Sequence, residues 1–162
     1  MPNPISQERI DFLISKDIYR KVAAIDLEMV KMKMNDPKES IGWSNEQCED
    51  AEIEYKRYLT LCFNYPHPHY SIVPNKIMDT MWHYHILDTR AYCKDSENIF
   101  GGYFHHYPYF GLRGADDEKA LIDSFEKTKE YYQYLFNEPM VRGGQSDCWH
   151  DCQDRCWHAC SN

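Results

Sequence analysis

Apolar residues recur at helical spacing in four or five stretches of this chain and at strand spacing in none. Residues 6 to 16 predict a short amphipathic helix with Ile10, Leu13 and Ile14 inward. Ile18, Val22, Ile25, Met29 and Met32 alternate spacings of four and three, which is one face of a second helix. Asn35-Asp36-Pro37 ends it. Ser44 to Gln47 has the form of a capping box and predicts a helix to about Asn64, with Ala51, Tyr55, Tyr58 and Cys62 on one face. Tyr65-Pro66-His67-Pro68-His69 cannot continue that helix, because two prolines remove donors and fix the backbone.

Pro74 and Asn75 stand at the mouth of the next helix, predicted over about 75–93. At 100° per residue, Met78, Met81, Trp82, His85, Ile86, Thr89, Tyr92 and Cys93 share one broad arc. Asp79, His83 and Arg90 share a neighbouring one, and Ile77 and Leu87 lie on the remainder. A helix that is apolar nearly all round is buried, so this one is predicted to be the centre of the fold. Gly101-Gly102 opens a loop punctuated by Pro108 and Gly111. A last helix follows Gly114, turns Leu121, Phe125, Thr128, Tyr132 and Leu135 to one side, and stops before Pro139. The fold class is therefore all-α, a compact bundle of about five helices. Residues 1–142 form the helical domain, and 143–162 form a Gly-Gly linker with a cysteine-rich tail.

Composition sharpens this picture in three ways. A net charge of -8 offers no basic stripe for nucleic acid, so a nucleic-acid partner is not expected. No run of about 18 apolar residues occurs and the start, MPNPISQERIDF, lacks the basic and apolar regions of a secretory signal, so a cytoplasmic protein with no membrane partner is expected. Thirteen tyrosines predict a core edged with hydroxyls, each needing a partner once buried.

The candidate chemistry begins with Asp79, His83, His85, His105 and His106. Asp79 and His83 stand four apart and share a helix face, so they can ligate one cation together. His85 points about 200° away from His83, which gives it a separate job. The loop pair His105-His106 can bring an imidazole to the helix, since Gly101 and Gly102 free the backbone to approach. Asp79, His83, His105 and His106 are thus candidate ligands for iron, zinc, copper or manganese. Asp79, His85 and Asp88 are candidate catalytic groups, with Asp88 three residues from His85 and able to hold it. A plain hydrogen-bonded network in a tyrosine-rich core explains the same residues without a metal. His67 and His69 flank a proline and are expected to be exposed.

These blocks resemble a known family. YLTLCFNYP from Tyr58, IVPNKIMDTMWHYHILDTRAYCKDSENIFG from Ile72 and FHHYPYFG from Phe104 are similar to the conserved domain of the glycine-rich domain proteins of plants and short bacterial relatives. The resemblance spans roughly residues 55 to 113. It implies a helical domain and carries no biochemical activity with it. The chain has Asp95-Ser96 where that family has Asp-Cys, and it lacks the glycine-rich region of the plant proteins.

The tail carries its own signal. Cys148-Trp149-His150-Asp151-Cys152 returns eight residues later as Cys156-Trp157-His158-Ala159-Cys160. The four cysteines could bind Cu(I) or Zn(II), with His150 and His158 adding nitrogen ligands. Alternatively, Gly143-Gly144 divides a leader from a core peptide whose cysteines are modified. No GxGxxG, GxxxxGK, GxSxG or HExxH pattern occurs, so the common nucleotide, serine-nucleophile and zinc-protease chemistries are not indicated. Three functions follow. The first is a metal-dependent enzyme (iron or copper) acting on a cysteine-rich peptide, foremost its own tail. The second is a Cu(I)- or Zn(II)-binding protein using the tail. The third is a non-catalytic leader domain recognised by a modifying enzyme.

Overall fold

The computed structural model describes residues 17–65 and 71–140, with side chains from residue 20 onward. The expected helix at 6–16, the loop histidines His67 and His69, the Gly143-Gly144 linker, Cys148, Cys152, Cys156, Cys160, His150 and His158 lie outside the described residues. The described residues form helices and no strands: α1 (Asp17–Ala23), α2 (Glu28–Asn35), α3 (Asn45–Asn64), α4 (Lys76–Leu87), α5 (Thr89–Phe100) and α6 (Ala115–Phe136). None of these helices is long and apolar enough to cross a membrane. The longest shared face is between α3 and α4; α3 also packs against α1, α2 and α6, while α5 folds back beside α4.

The helix ends follow from local chemistry. Ser44 Oγ accepts from the Gln47 amide and the Gln47 side chain accepts from the Ser44 amide, so the expected capping box starts α3. Asn75 starts α4 by accepting from the Met78 amide. The α6 face is the expected one: Leu121, Phe125, Thr128, Tyr132 and Leu135 are all buried.

Two expected helices are broken. The stretch from Ile18 to Met32 is not continuous. Asp26 Oδ1 accepts from the Glu28 amide, an Asx-type bond that competes with the helix and restarts it in a new register. Ile25 and Leu27 are buried in the break, Val30 and Met34 face the core, and Met29 and Met32 stand 65% and 62% exposed. The expected helix over 75–93 ends at Leu87. Asp88 caps the next helix, its side chain accepting from the Ala91 amide. The turn leaves Cys93 and Arg90 exposed and places Tyr92 in the core, so Arg90 does not join Asp79 and His83.

Buried tyrosine hydroxyls find partners, as expected, at Tyr55, Tyr58, Tyr92 and Tyr132. Tyr55 pairs with His85, Tyr58 donates to the Ile72 carbonyl, and Tyr132 donates to Glu54 while accepting from Arg57. Tyr92 accepts from the Trp82 indole N–H and donates to the Phe104 carbonyl, which ties the loop after α5 to α4.

Candidate metal centre

Asp79 lies on the first turn of α4 and His83 one turn later, so both side chains leave the same face. His106 comes from the loop between α5 and α6. Three contacts hold it there: the Tyr92 hydroxyl on the Phe104 carbonyl, the Phe104 ring stacked 5.2 Å from Trp82, and the His106 ring itself 4.3 Å from Trp82. In extended chain successive side chains point to opposite sides. With Phe104 and His106 turned inward, His105 is turned outward, where it is exposed and rests 4.8 Å from the Tyr103 ring. The expected ligand role of His105 is therefore not met. Gly101 and Gly102 do not supply the close approach either: Gly101 is the left-handed cap of α5, and the tight contact falls at Gly111 on Leu121.

The three remaining groups crowd together. His106 Nε2 lies 2.9 Å from Asp79 Oδ1, His83 Nε2 lies 3.1 Å from Asp79 Oδ2, and the two Nε2 atoms are 2.9 Å apart. Their side chains grade from buried to open, at 3% exposure for Asp79, 13% for His106 and 48% for His83. Burial pushes the Asp79 carboxyl up, but the bonds from His106 and His83 outweigh it and hold the acid below its ordinary value, so it is ionised.

Each Nε2 has two polar neighbours, so the protons of this triangle are shared among three groups. A single cation in place of those protons would be held by both lone pairs and the carboxylate at once. Asp79, His83 and His106 are therefore placed to hold a metal.

A second acidic group, Glu28, Glu49 and Glu52, has similar spacing but already contains a cation. Lys31 Nζ sits 2.7, 2.8 and 2.5 Å from the three carboxylates. An ammonium has three hydrogens to donate, so this is a closed structural cluster.

His85 has the separate place expected of it. Its ring is buried in the core, with Nδ1 2.8 Å from the Tyr55 hydroxyl and Nε2 2.9 Å from Asp95 Oδ2. Burial lowers the His85 pKa despite Asp95, and burial raises that of Tyr55, so a neutral ring accepts from Tyr55 and donates to Asp95. Asp88, the expected partner, is exposed and occupied as the α5 cap. The expected trio Asp79, His85 and Asp88 is not assembled. Asp95 is the residue that sequence reasoning missed, because only the fold-back of α5 brings it to His85.

Beside the centre lies an open cleft of about 490 Å³. Tyr58, Cys62, Trp82 and Phe104 form its apolar wall, and Asp79 and His106 form its polar edge. Burial pushes the Cys62 thiol up to about 12, so this wall group is a protonated thiol at neutral pH. Arg113 at the cleft is bound to Asp117 at 2.8 Å and carries no free charge to the opening.

The model of a family described as UCP032817-like matches residues 25–131, and the chain belongs to that family. The matched span includes all three residues of the metal cluster. Nothing in the comparison links the chain to the glycine-rich domain proteins, so the resemblance drawn from the Tyr58, Ile72 and Phe104 blocks is corrected to this family. No curated protein and no solved structure matches the chain.

Proposed function

We propose that this member of the UCP032817-like family is a metal-dependent enzyme, with iron held by Asp79, His83 and His106 and a cysteine-bearing peptide as substrate. The first such peptide is the chain's own C-terminal segment, with its repeated CWHxC unit. The observation that carries this reading is the triangle of two ring nitrogens and a buried carboxylate, each donor atom 2.9 to 3.1 Å from its neighbours. Two imidazoles and one carboxylate are a ligand set typical of non-haem iron, and three protein ligands would leave positions open for substrate. The hard carboxylate disfavours Cu(I).

Each group has a role. Asp79 would supply a buried carboxylate, and His83 and His106 would supply ring nitrogens from a helix and a loop. Trp82 and Tyr92 fix the loop that carries His106. Substrate would enter the open cleft on the side of Asp79 and His106. Bound iron would supply dioxygen activation next to a thiol, the most readily oxidised group of such a peptide. The test is mass spectrometry of the C-terminal peptide after incubating the full chain with Fe(II) in air. A defined mass change on cysteine, absent in His106→Ala, is expected. An unchanged peptide in a protein that has taken up iron removes the reading.

The exposed Tyr103, Tyr107 and Tyr109 beside the cleft favour one competitor, a non-catalytic domain that a modifying enzyme grips. In that case the peptide would be modified in cells even when His83 and His106 are both alanine.

A further inference from the structure

Trp82 joins several aromatic rings, and they differ in where they lead. On one side its ring lies 4.3 Å from that of His106, a ligand of the proposed centre. On another its indole N–H donates to the Tyr92 hydroxyl at 2.9 Å. Tyr92 is buried, and its ring meets that of Tyr103 edge-on at 5.2 Å. Tyr103 stands 45% exposed. Indole and phenol rings give up an electron to a strong oxidant, so oxidisable rings in contact run from the metal position to solvent. The other aromatic neighbours of Trp82 end inside: Tyr58 is buried, and Phe104 has no hydroxyl or ring N–H to ease its oxidation. Tyr92 also touches His85, and that branch stops at the buried Tyr55.

We infer that Trp82, Tyr92 and Tyr103 form an electron path from the surface to the metal centre, used when the centre is oxidised with no substrate in the cleft. This rests on the iron site proposed above and adds a redox role for side chains outside its ligand set. The co-reactant is a peroxide. Reducing hydrogen peroxide to two waters takes two electrons and two protons. Bound Fe(II) gives one electron and becomes Fe(III); Tyr103 gives the other, by way of Tyr92 and Trp82. The Tyr103 O–H bond breaks, its proton goes to water, solvent supplies both protons consumed, and a neutral phenoxyl radical remains. Hydrogen bonding selects that terminus. Tyr92 donates to the Phe104 carbonyl, which is too weak a base to take its proton, so an electron vacancy there moves on. Tyr103 faces water, which takes the proton and holds the vacancy in place. Tyr107 and Tyr109 are built-in controls on the same loop. They are 54% and 58% exposed, and among the described residues they pack on each other and on Arg113, not on Trp82 or Tyr92. An oxidant released into solution marks all three tyrosines, whereas the path marks Tyr103.

The test is peroxide treatment of the full-length chain carrying one Fe(II), with a nitroso spin trap present. Cys148, Cys152, Cys156 and Cys160 are changed to serine so that no substrate thiol competes. Peptide mass spectrometry then locates the trapped radicals. Adducts are expected on Tyr103, severalfold above Tyr107 and Tyr109, and absent without iron. In Tyr103→Phe, a change at an exposed ring, the total yield should fall severalfold with no gain at Tyr107 or Tyr109. In Tyr92→Phe the Tyr103 adduct should fall severalfold at unchanged iron content. Equal labelling of the three tyrosines overturns the inference and leaves the centre standing, as does full Tyr103 labelling in iron-loaded Tyr92→Phe. If Tyr92→Phe loses iron, Tyr103→Phe decides: a total yield that merely moves to Tyr107 and Tyr109 overturns the path. A chain that takes up no iron, or Tyr103 labelling that persists in His83→Ala/His106→Ala, overturns both path and centre.

Discussion

At the scale of single residues, the protein is decided by which polar groups find partners. Glu52 shows the rule away from the metal site. Burial raises its carboxyl, but Lys31 and Lys56 outweigh burial and hold it below the ordinary glutamate value. A depressed carboxyl contributes stability above its unfolded value and loses that contribution as pH falls through the folded one. Glu52→Gln should therefore cost about 1–2 kcal/mol at neutral pH, less than a fully broken buried pair because Lys31 keeps Glu28 and Glu49. The deficit should shrink on acidification below about pH 4, as read by urea unfolding at a series of pH values. Asp79 and His83 were legible in the sequence because a spacing of four admits only one mutual geometry on a helix. The choice between His105 and His106 was not, since alternation fixes that one of the pair turns inward but not which. Only the contacts of Phe104 with Trp82 and Tyr92 decide it.

At the scale of elements, caps and close approaches set where each segment stops. Asn75 begins α4 from a buried position, so Asn75→Ala should cost about 1 kcal/mol and lower the urea midpoint. Gly111 marks the point where the loop that carries His106 meets α6. Its φ is +90°, and a Cβ there would lie 2.4 Å from Leu121 Cδ2. Gly111→Ala should destabilise by about 2–3 kcal/mol, whereas Gly102→Ala, with open space around it, should change the same melt by less than about 0.5 kcal/mol. Uniform spacing made the buried face of α6 readable, Leu121 through Leu135, though its end falls at Phe136, short of Pro139. The break at Asp88 was hidden because that residue has two plausible jobs, partner of His85 or cap of a new helix, and periodicity runs smoothly through both. Once the cap wins, α5 turns back and delivers Asp95 to His85.

At the scale of the whole molecule, the metal would join a helix and a loop whose segments lie more than twenty residues apart in sequence. Ligand binding to the folded form alone adds stability by mass action, about 2.7 kcal/mol at one hundred times the dissociation constant. Fe(II) under anaerobic conditions should raise the melting temperature of the wild-type chain and leave His83→Ala/His106→Ala unmoved. Because imidazoles must be unprotonated to ligate, the shift should vanish on acidification. The all-α architecture was readable from spacing alone. The cleft was not, because its walls come from α3, α4 and the loop after α5, and no single segment records their angle.

The central claim is one metal per chain at Asp79, His83 and His106, and elemental analysis of untagged full-length protein tests it most directly. We expect close to one equivalent of iron, retained when Cys148, Cys152, Cys156 and Cys160 are all serine and lost in His83→Ala/His106→Ala. Protein that takes up no metal, or that loses it with the cysteines while the histidine variant keeps it, would contradict the account.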